Sequence, residues 1–327
     1  MVSRVCFFAV RNYCYEVALR DYLQDDEKIR KMLTQLECAS CIVDDLRGAL
    51  QILSLGEEIE MKILREAFSF LAHEFSRDKT PSYFITGVHR ILKRISGINT
   101  PFKERREKCN EIGLKISEKV HKRAEPLKNL DRVSFLVKWA IAANELDFRT
   151  VGAGYGFDVE KIENILFEHF EEGLAVDQIG EIFQIVKNSR RILYIHDNVG
   201  EITLDKLLIG ELKSYADTVI SALRGGPITS DATLEDGKRV GLQEVASQIL
   251  LAGPDTLGIS LEEMSDELRE NLQTADIVIA KGQANYYALS EYRPKAGGKI
   301  ACLFRTKCDY VSNVFGKNGK VNLAVIL

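Results

Sequence analysis

The chain has few prolines, 6 in 327 residues, and no low-complexity stretch, so nothing marks it as a linker or a fibrous protein. It also lacks an excess of positive charge: 44 lysines and arginines face 48 aspartates and glutamates, for a net charge of −4. A nucleic-acid-binding chain would normally carry a basic excess or stripe, so nucleic acid is excluded as a partner. An acidic substrate must then be met by local charge. No apolar run approaches the ~18 uninterrupted residues of a membrane-spanning helix. The start, Met1–Arg11, lacks a small-residue cleavage site after its brief apolar stretch. The expectation is a cytoplasmic protein with no membrane partner. Its oligomeric state is not legible.

A disulfide framework is absent as well. The seven cysteines, Cys6, Cys14, Cys38, Cys41, Cys109, Cys302 and Cys308, are odd in number and widely spread. Only Cys38 and Cys41 form a close pair. A structural zinc site needs about four ligands, usually from two such pairs. The plain reading is reduced thiols near a helix start; the alternative is a metal or redox role shared with Cys308.

What is present divides into two halves of different period. In the first, Ile63, Leu64, Ala67, Phe68, Phe70, Leu71 and Phe75 recur mostly at three- and four-residue steps, which predicts a helix over Met61–Phe75. Thr80-Pro81 reads as a helix start, with Val88, Ile91, Leu92 and Ile95 on the apolar face behind it. Further helices are predicted over Lys103–Glu125, Val133–Asn144, Glu160–His169 and Val176–Asn188. After Ser189 short apolar runs take over: Ile192–Ile195, Thr218–Leu223, Ile277–Ala280, Ile300–Phe304 and Val321–Leu327 read as strands. They alternate with helical stretches such as Ile202–Tyr215. That alternation predicts a mainly parallel sheet covered on both faces. The boundary falls near residue 185, giving a helical domain, 1–185, and an α/β domain, 186–327.

In such a sheet ligands gather beyond the C-terminal ends of the strands. The first strand runs into His196-Asp197-Asn198-Val199-Gly200-Glu201, rich in the oxygen donors that hard divalent cations prefer. The helix that follows points its N-terminus at the same place, which favours phosphate. The second strand leads to Arg224-Gly225-Gly226-Pro227 and then Asp231. The third and fourth deliver Lys281-Gly282-Gln283-Ala284-Asn285 and Arg305-Thr306-Lys307-Cys308. Singly, each is an ordinary turn, cap or solvated cation. Four strand ends of one sheet, each supplying an ionisable or amide group, outweigh that bland reading.

With these motifs in that order, the chain resembles the metal-dependent damage-control phosphatases, formerly a domain of unknown function, in their Cys-x-x-Cys branch. The resemblance rests on Asp197-Asn198-Val199-Gly200-Glu201, with Asp205 further on, Gly225-Gly226-Pro227, Ser230-Asp231-Ala232, Lys281-Gly282-Gln283-Ala284-Asn285-Tyr286 and Lys307-Cys308. Cys38 and Cys41, and Asn144 to Asp147 with Ala143 in a glycine's place, extend it into the first half. It implies an all-helical N-terminal domain packed on a three-layer α/β/α domain. It implies Asp197, Asn198 and Asp231 as ligands of a divalent metal, manganese, nickel, cobalt or magnesium. It places Lys281, Asn285 and Lys307 at the substrate phosphate or its polar neighbours, with Glu201 and Asn144 completing the pocket.

The expected chemistry is hydrolysis of small phosphomonoesters, either sugar phosphates or damaged phosphometabolites. Lys281 and Lys307 would stabilise charge on the phosphoryl oxygens. Water is the favoured nucleophile, with Glu201 or Asp231 as base, over Asp197 attacking directly. Two alternatives stand beside this. One is an S-adenosylmethionine-dependent carboxyl methyltransferase, against which the acidic first loop argues. The other is a non-catalytic metal- or phosphometabolite-binding protein.

Overall fold

The structure, a computed structural model, describes residues 32–147, 157–294 and 298–327. The readings made on Met1–Arg11, Cys6 and Cys14 lie outside them. Five helices come first: α1 (Leu36–Leu53), α2 (Glu57–Glu74), α3 (Pro81–Ser96), α4 (Lys103–Ala124) and α5 (Asn129–Ala142). Pro81 takes the first position of α3 behind Thr80, where its missing N–H costs no hydrogen bond. Gly97 ends that helix at φ +72, a left-handed cap. Phe84, Val88 and Leu92, four residues apart, bury one face of α3 against Ile42 and Leu46 of α1 and Ile63 and Ala67 of α2. A 3₁₀ turn at Ala143–Glu145 closes α5.

The remaining elements in chain order are α6 (Val159–Glu171), β1 (Val176–Asp177), α7 (Ile179–Lys187), β2 (Arg191–Ile195), α8 (Ile202–Leu212), β3 (Thr218–Leu223), α9 (Leu234–Arg239), β4 (Gln248–Leu251), α10 (Asp266–Thr274), β5 (Ile277–Lys281), α11 (Gln283–Leu289), β6 (Lys299–Arg305), α12 (Asp309–Val314) and β7 (Asn322–Ile326). The seven strands form one sheet in the order β1-β7-β6-β5-β2-β3-β4. All neighbours are parallel except β6 and β7, which pair antiparallel. The mainly parallel α/β fold expected from the sequence is present. β2 sits between β3 and β5, so the strand order reverses there and opens a crevice at the C-terminal ends.

Alternate residues of the strands face opposite layers, as a period of two requires. Ile192, Tyr194, Val219, Ile277, Ile279 and Leu303 pack against α4, α5, α7 and α8. Leu193, Ile195, Ile220, Val278, Ala280 and Phe304 pack against α10, α11 and α12. The first of these cores runs without a break from α4 and α5 into the sheet.

Three elements differ from their sequence reading. Val176 and Asp177 pair with Leu323 and Ala324 as a strand, so the helix predicted from Val176 starts at Ile179. The sheet thus draws in chain from before the expected boundary near 185. β4, four residues on the sheet edge with only Leu250 buried, carries too short an apolar run to announce itself. The last strand lies antiparallel to β6. No helix among the described residues is long and apolar enough to cross a membrane.

Candidate active site

Beyond Ile195 the chain turns through His196, Asp197, Asn198, Val199, Gly200 and Glu201 into α8, and every one of these residues is buried. Asn198 forms an isolated antiparallel bridge with Asp231, which follows β3. Val199 N–H donates to the Ser230 carbonyl at 2.8 Å, and Ala232 N–H to the Asp197 carbonyl at 2.7 Å. Backbone pairing therefore brings together Asp197, Asn198 and Asp231, the three side chains expected to hold metal. Gly282, at φ +80 after β5, presses on the same point: a Cβ there would lie 1.9 Å from Asp197 Oδ2. Only glycine meets both the conformation and the approach.

The amides of Asn144 and Asn198 converge on the carboxylates. Asn144 Nδ2 donates to Asp197 Oδ2 and Glu201 Oε2, both at 2.9 Å. Asn198 Nδ2 donates to the same two oxygens at 2.8 and 3.1 Å. Ser230 Oγ, with one proton to give, lies 2.8 Å from Asn198 Oδ1 and 3.0 Å from Asp147 Oδ2. Ala143 adopts a right-handed conformation, φ −64, so alanine in the glycine's place leaves Asn144 correctly presented.

Positive charge is unevenly shared. Asp231 Oδ2 accepts Arg224 Nε at 3.0 Å and the Gly258 N–H at 2.8 Å. Asp197 makes no ion pair among the described residues. Burial, then Glu201 and Asp231, push its carboxyl up to about 7, against the pull of Lys307 and Arg224. Lys307 is exposed at the rim, and its backbone N–H donates to Gln283 Oε1 at 2.7 Å.

Lys281 and Asn285 stand otherwise than at a substrate. Lys281 is fully buried, with Nζ on Glu201 Oε1, on the Ala140 carbonyl at 2.7 Å and on Asp205 Oδ1 at 3.2 Å. Burial works against the ammonium, but Asp205 and Glu201 prevail and raise its pKa to about 12. Asn285 spends its whole side chain on scaffold. Its Oδ1 accepts Arg224 Nη2 and the Ile259 N–H, and its Nδ2 donates to the carbonyls of His196 and Lys281. Glu201, expected as a catalytic group, is enclosed by Lys281 on one oxygen and by two amides on the other.

Several contributors had no role assigned to them from sequence. Asp205 accepts Tyr194 Oη at 2.7 Å and His196 Nδ1 at 3.0 Å behind Lys281. Burial opposes its ionisation, yet Lys281, His196 and Tyr194 outweigh it and hold Asp205 below its ordinary value. Arg224, noted only as a strand end, joins Asp231, Asn285 and the His196 carbonyl. A strand-end arginine ahead of Gly-Gly was the one signal available. Arg305 is buried in pairs with Glu145 and Glu172, where the bland reading of a strand-end cation was a solvated one. Cys38 lies in the first turn of α1, where its Sγ accepts the Gln35 N–H at 3.4 Å; Cys308 caps α12. The cysteines Cys38, Cys41, Cys109, Cys302 and Cys308 are free.

No three His, Cys, Asp or Glu side chains converge as a metal-binding group among the described residues. The donor set available at the crevice is instead two carboxylates and a carboxamide. An Asp197 carboxylate crowded by other carboxylates and without an ion pair, in a set of oxygen donors only, fits a hard divalent cation.

Comparison with known proteins shows the family. The family model for the damage-control phosphatase ARMT1-like domain matches residues 34–322. An uncharacterised protein of Methanocaldococcus jannaschii is 33% identical over 282 residues, covering 86% of this chain and 91% of the relative. A damage-control phosphatase of Archaeoglobus fulgidus is 30% identical over 285 residues, covering 86% and 94%. The crystal structure of a DUF89 family protein from Pyrococcus horikoshii superposes with a TM-score of 0.77 at 29% identity, covering 90% of this chain and 99% of that one. With a family model spanning nearly its whole described length, the chain belongs to the damage-control phosphatase ARMT1-like family.

Proposed function

We propose that the chain is a divalent-metal-dependent phosphatase of metabolite repair, hydrolysing small phosphomonoesters such as sugar phosphates or damaged phosphometabolites. The cation is held by Asp197, Asn198 and Asp231. The observation that carries this reading is the convergence of those three side chains around an Asp197 carboxylate left without an ion pair. Membership of a phosphatase family supports the reaction class, as do relatives that bear that name. A turn of the Asn198 carboxamide, whose Oδ1 now accepts Ser230, presents that oxygen to the cation. Manganese, nickel, cobalt and magnesium all suit oxygen donors. Once bound, the cation supplies Lewis acidity at the phosphoryl oxygen and a charged seat for water.

The protein's own residues divide the rest. Lys307, exposed and close enough to Asp197 to act on its charge, meets the phosphate oxygens. Arg224 adds a fixed positive charge behind Asp231. Glu201 orients Asn144, and Lys281 is shared between Glu201 and Asp205 instead of touching substrate. Water is the nucleophile, because Asp197 is engaged by the cation and by the Asn144 amide, which leaves it a poor attacking group. The test is a phosphoester panel assayed with each of the four metals. Asp197→Ala and Asp231→Ala are expected to reduce metal-dependent turnover to background with the fold intact. Full turnover in either variant sinks the reading.

A further inference from the structure

Along α4, Arg106, Asn110 and Gly113 follow at steps of four and three residues, so they share one face, and all three are buried. Arg106 Nη1 donates to the Thr229 carbonyl at 2.7 Å and Nη2 to the Asp231 carbonyl at 2.8 Å. The carbonyl between them, that of Ser230, turns the other way to Val199. Alternate carbonyls of the Asp231 loop are thus divided between α4 and the Asp197–Asn198 loop. One turn on, Asn110 Oδ1 accepts the Gly200 N–H at 2.8 Å. One turn further, a Cβ on Gly113 would lie 2.5 Å from the Gly200 carbonyl oxygen, so glycine lets α4 close on that loop. Asp236 joins the two contacts: its Oδ2 accepts Arg106 Nη2 at 2.5 Å and its Oδ1 accepts Asn110 Nδ2 at 2.9 Å. Thr233 donates to the same carboxylate from its N–H at 2.9 Å and its hydroxyl at 2.6 Å, which satisfies the buried pair.

We propose that this stripe is a clamp, in which Arg106 and Asn110 are positioning residues that set the spacing between the Asp197–Asn198 loop and the Asp231 loop. The helical half then takes part in holding the cation, since it fixes the separation of ligands that it does not itself supply. The consequence for metal binding rests on the functional reading above; the coupling of the two loops does not.

Hydrogen exchange in the metal-free, full-length protein tests the coupling. Asn110→Ala and Arg106→Lys are each expected to speed exchange on the order of tenfold in both segments, 197–201 and 229–233. Arg106→Lys keeps the charge but loses the fork that reaches two carbonyls, and it carries the test if Asn110→Ala does not fold. Calorimetric titration with Mn2+ is expected to show affinity weakened about 10–100-fold in both variants. Leu166→Ala, a core truncation in α6, is expected to lower stability while leaving both readouts within about twofold of the parent. Faster exchange confined to the loop that the altered side chain touches overturns the clamp. So does behaviour matching Leu166→Ala. If the parent protein takes up no Mn2+, the metal reading falls, while the exchange data still decide the clamp.

Discussion

An ammonium shut among Glu201, Asp205 and the Ala140 carbonyl cannot reach a phosphate, and it cannot be deleted cheaply. Lys281→Met leaves two buried carboxylates facing each other without their shared cation. The expected loss is about 3–5 kcal/mol in denaturant unfolding, with a lower midpoint and an unchanged slope. A loss under about 1 kcal/mol would show that Asp205 and Glu201 find other partners. Nothing near Lys281 in the sequence names those partners, which stand earlier in the chain with β3 and β4 in between. The strand-end position was legible; the direction of the side chain, inward and occupied, was not. Asn285 repeats the lesson, since an amide after a strand reads equally as ligand or as scaffold until its four partners are seen. Asp197 and Asp231 were legible as neighbours because strand order alone places them at one sheet edge.

Among elements, the turn from β5 into α11 has the least freedom. Gly282 holds a left-handed φ with the Asp197 carboxylate where a side chain would begin. Gly282→Ala is expected to displace Asp197 and abolish Mn2+ uptake in titration calorimetry, while far-ultraviolet circular dichroism stays that of the parent. Retained uptake would mean that the carboxylate moves aside without leaving the cation. The periodic apolar faces of α2 and α3 and the short unbroken apolar runs of β2 and β3 were read from sequence with little error, since burial decides both. β1 escaped because two residues offer no period to detect, and β4 because its edge position leaves half of it wet. α4 was located as a helix, yet its charge-rich start reads as a solvated face. Only the fold shows Arg106 turned inward on two carbonyls of the Asp231 loop.

For the whole molecule, the buried Asp197 links stability to pH. Its carboxyl titrates near 7 when folded and near its ordinary value of 3.8 when unfolded, so the folded chain binds the proton more tightly. Stability of the metal-free protein from this group is therefore greatest below about pH 4, declines as pH rises toward 7, and levels off above. Thermal unfolding of metal-free protein across pH 4–8 is expected to show that decline, and Asp197→Asn to flatten it. Added Mn2+ competes with the proton, so its stabilising effect grows as pH rises through 7. A metal-induced rise in melting temperature that shrinks over the same range would contradict the assignment.

The pairing of β1 with β7 has a consequence for how the chain is made. Val176 and Asp177 are synthesised before any other strand, yet their sheet partners, Leu323 and Ala324, emerge only after every other strand. Until then one margin of the sheet is unzipped, and the segment leading out of the helical half has nothing to dock on. Contacts so distant along the sequence form slowly. During synthesis that margin is first β2, then β5 and last β6, an open edge of the kind on which unfinished chains find one another.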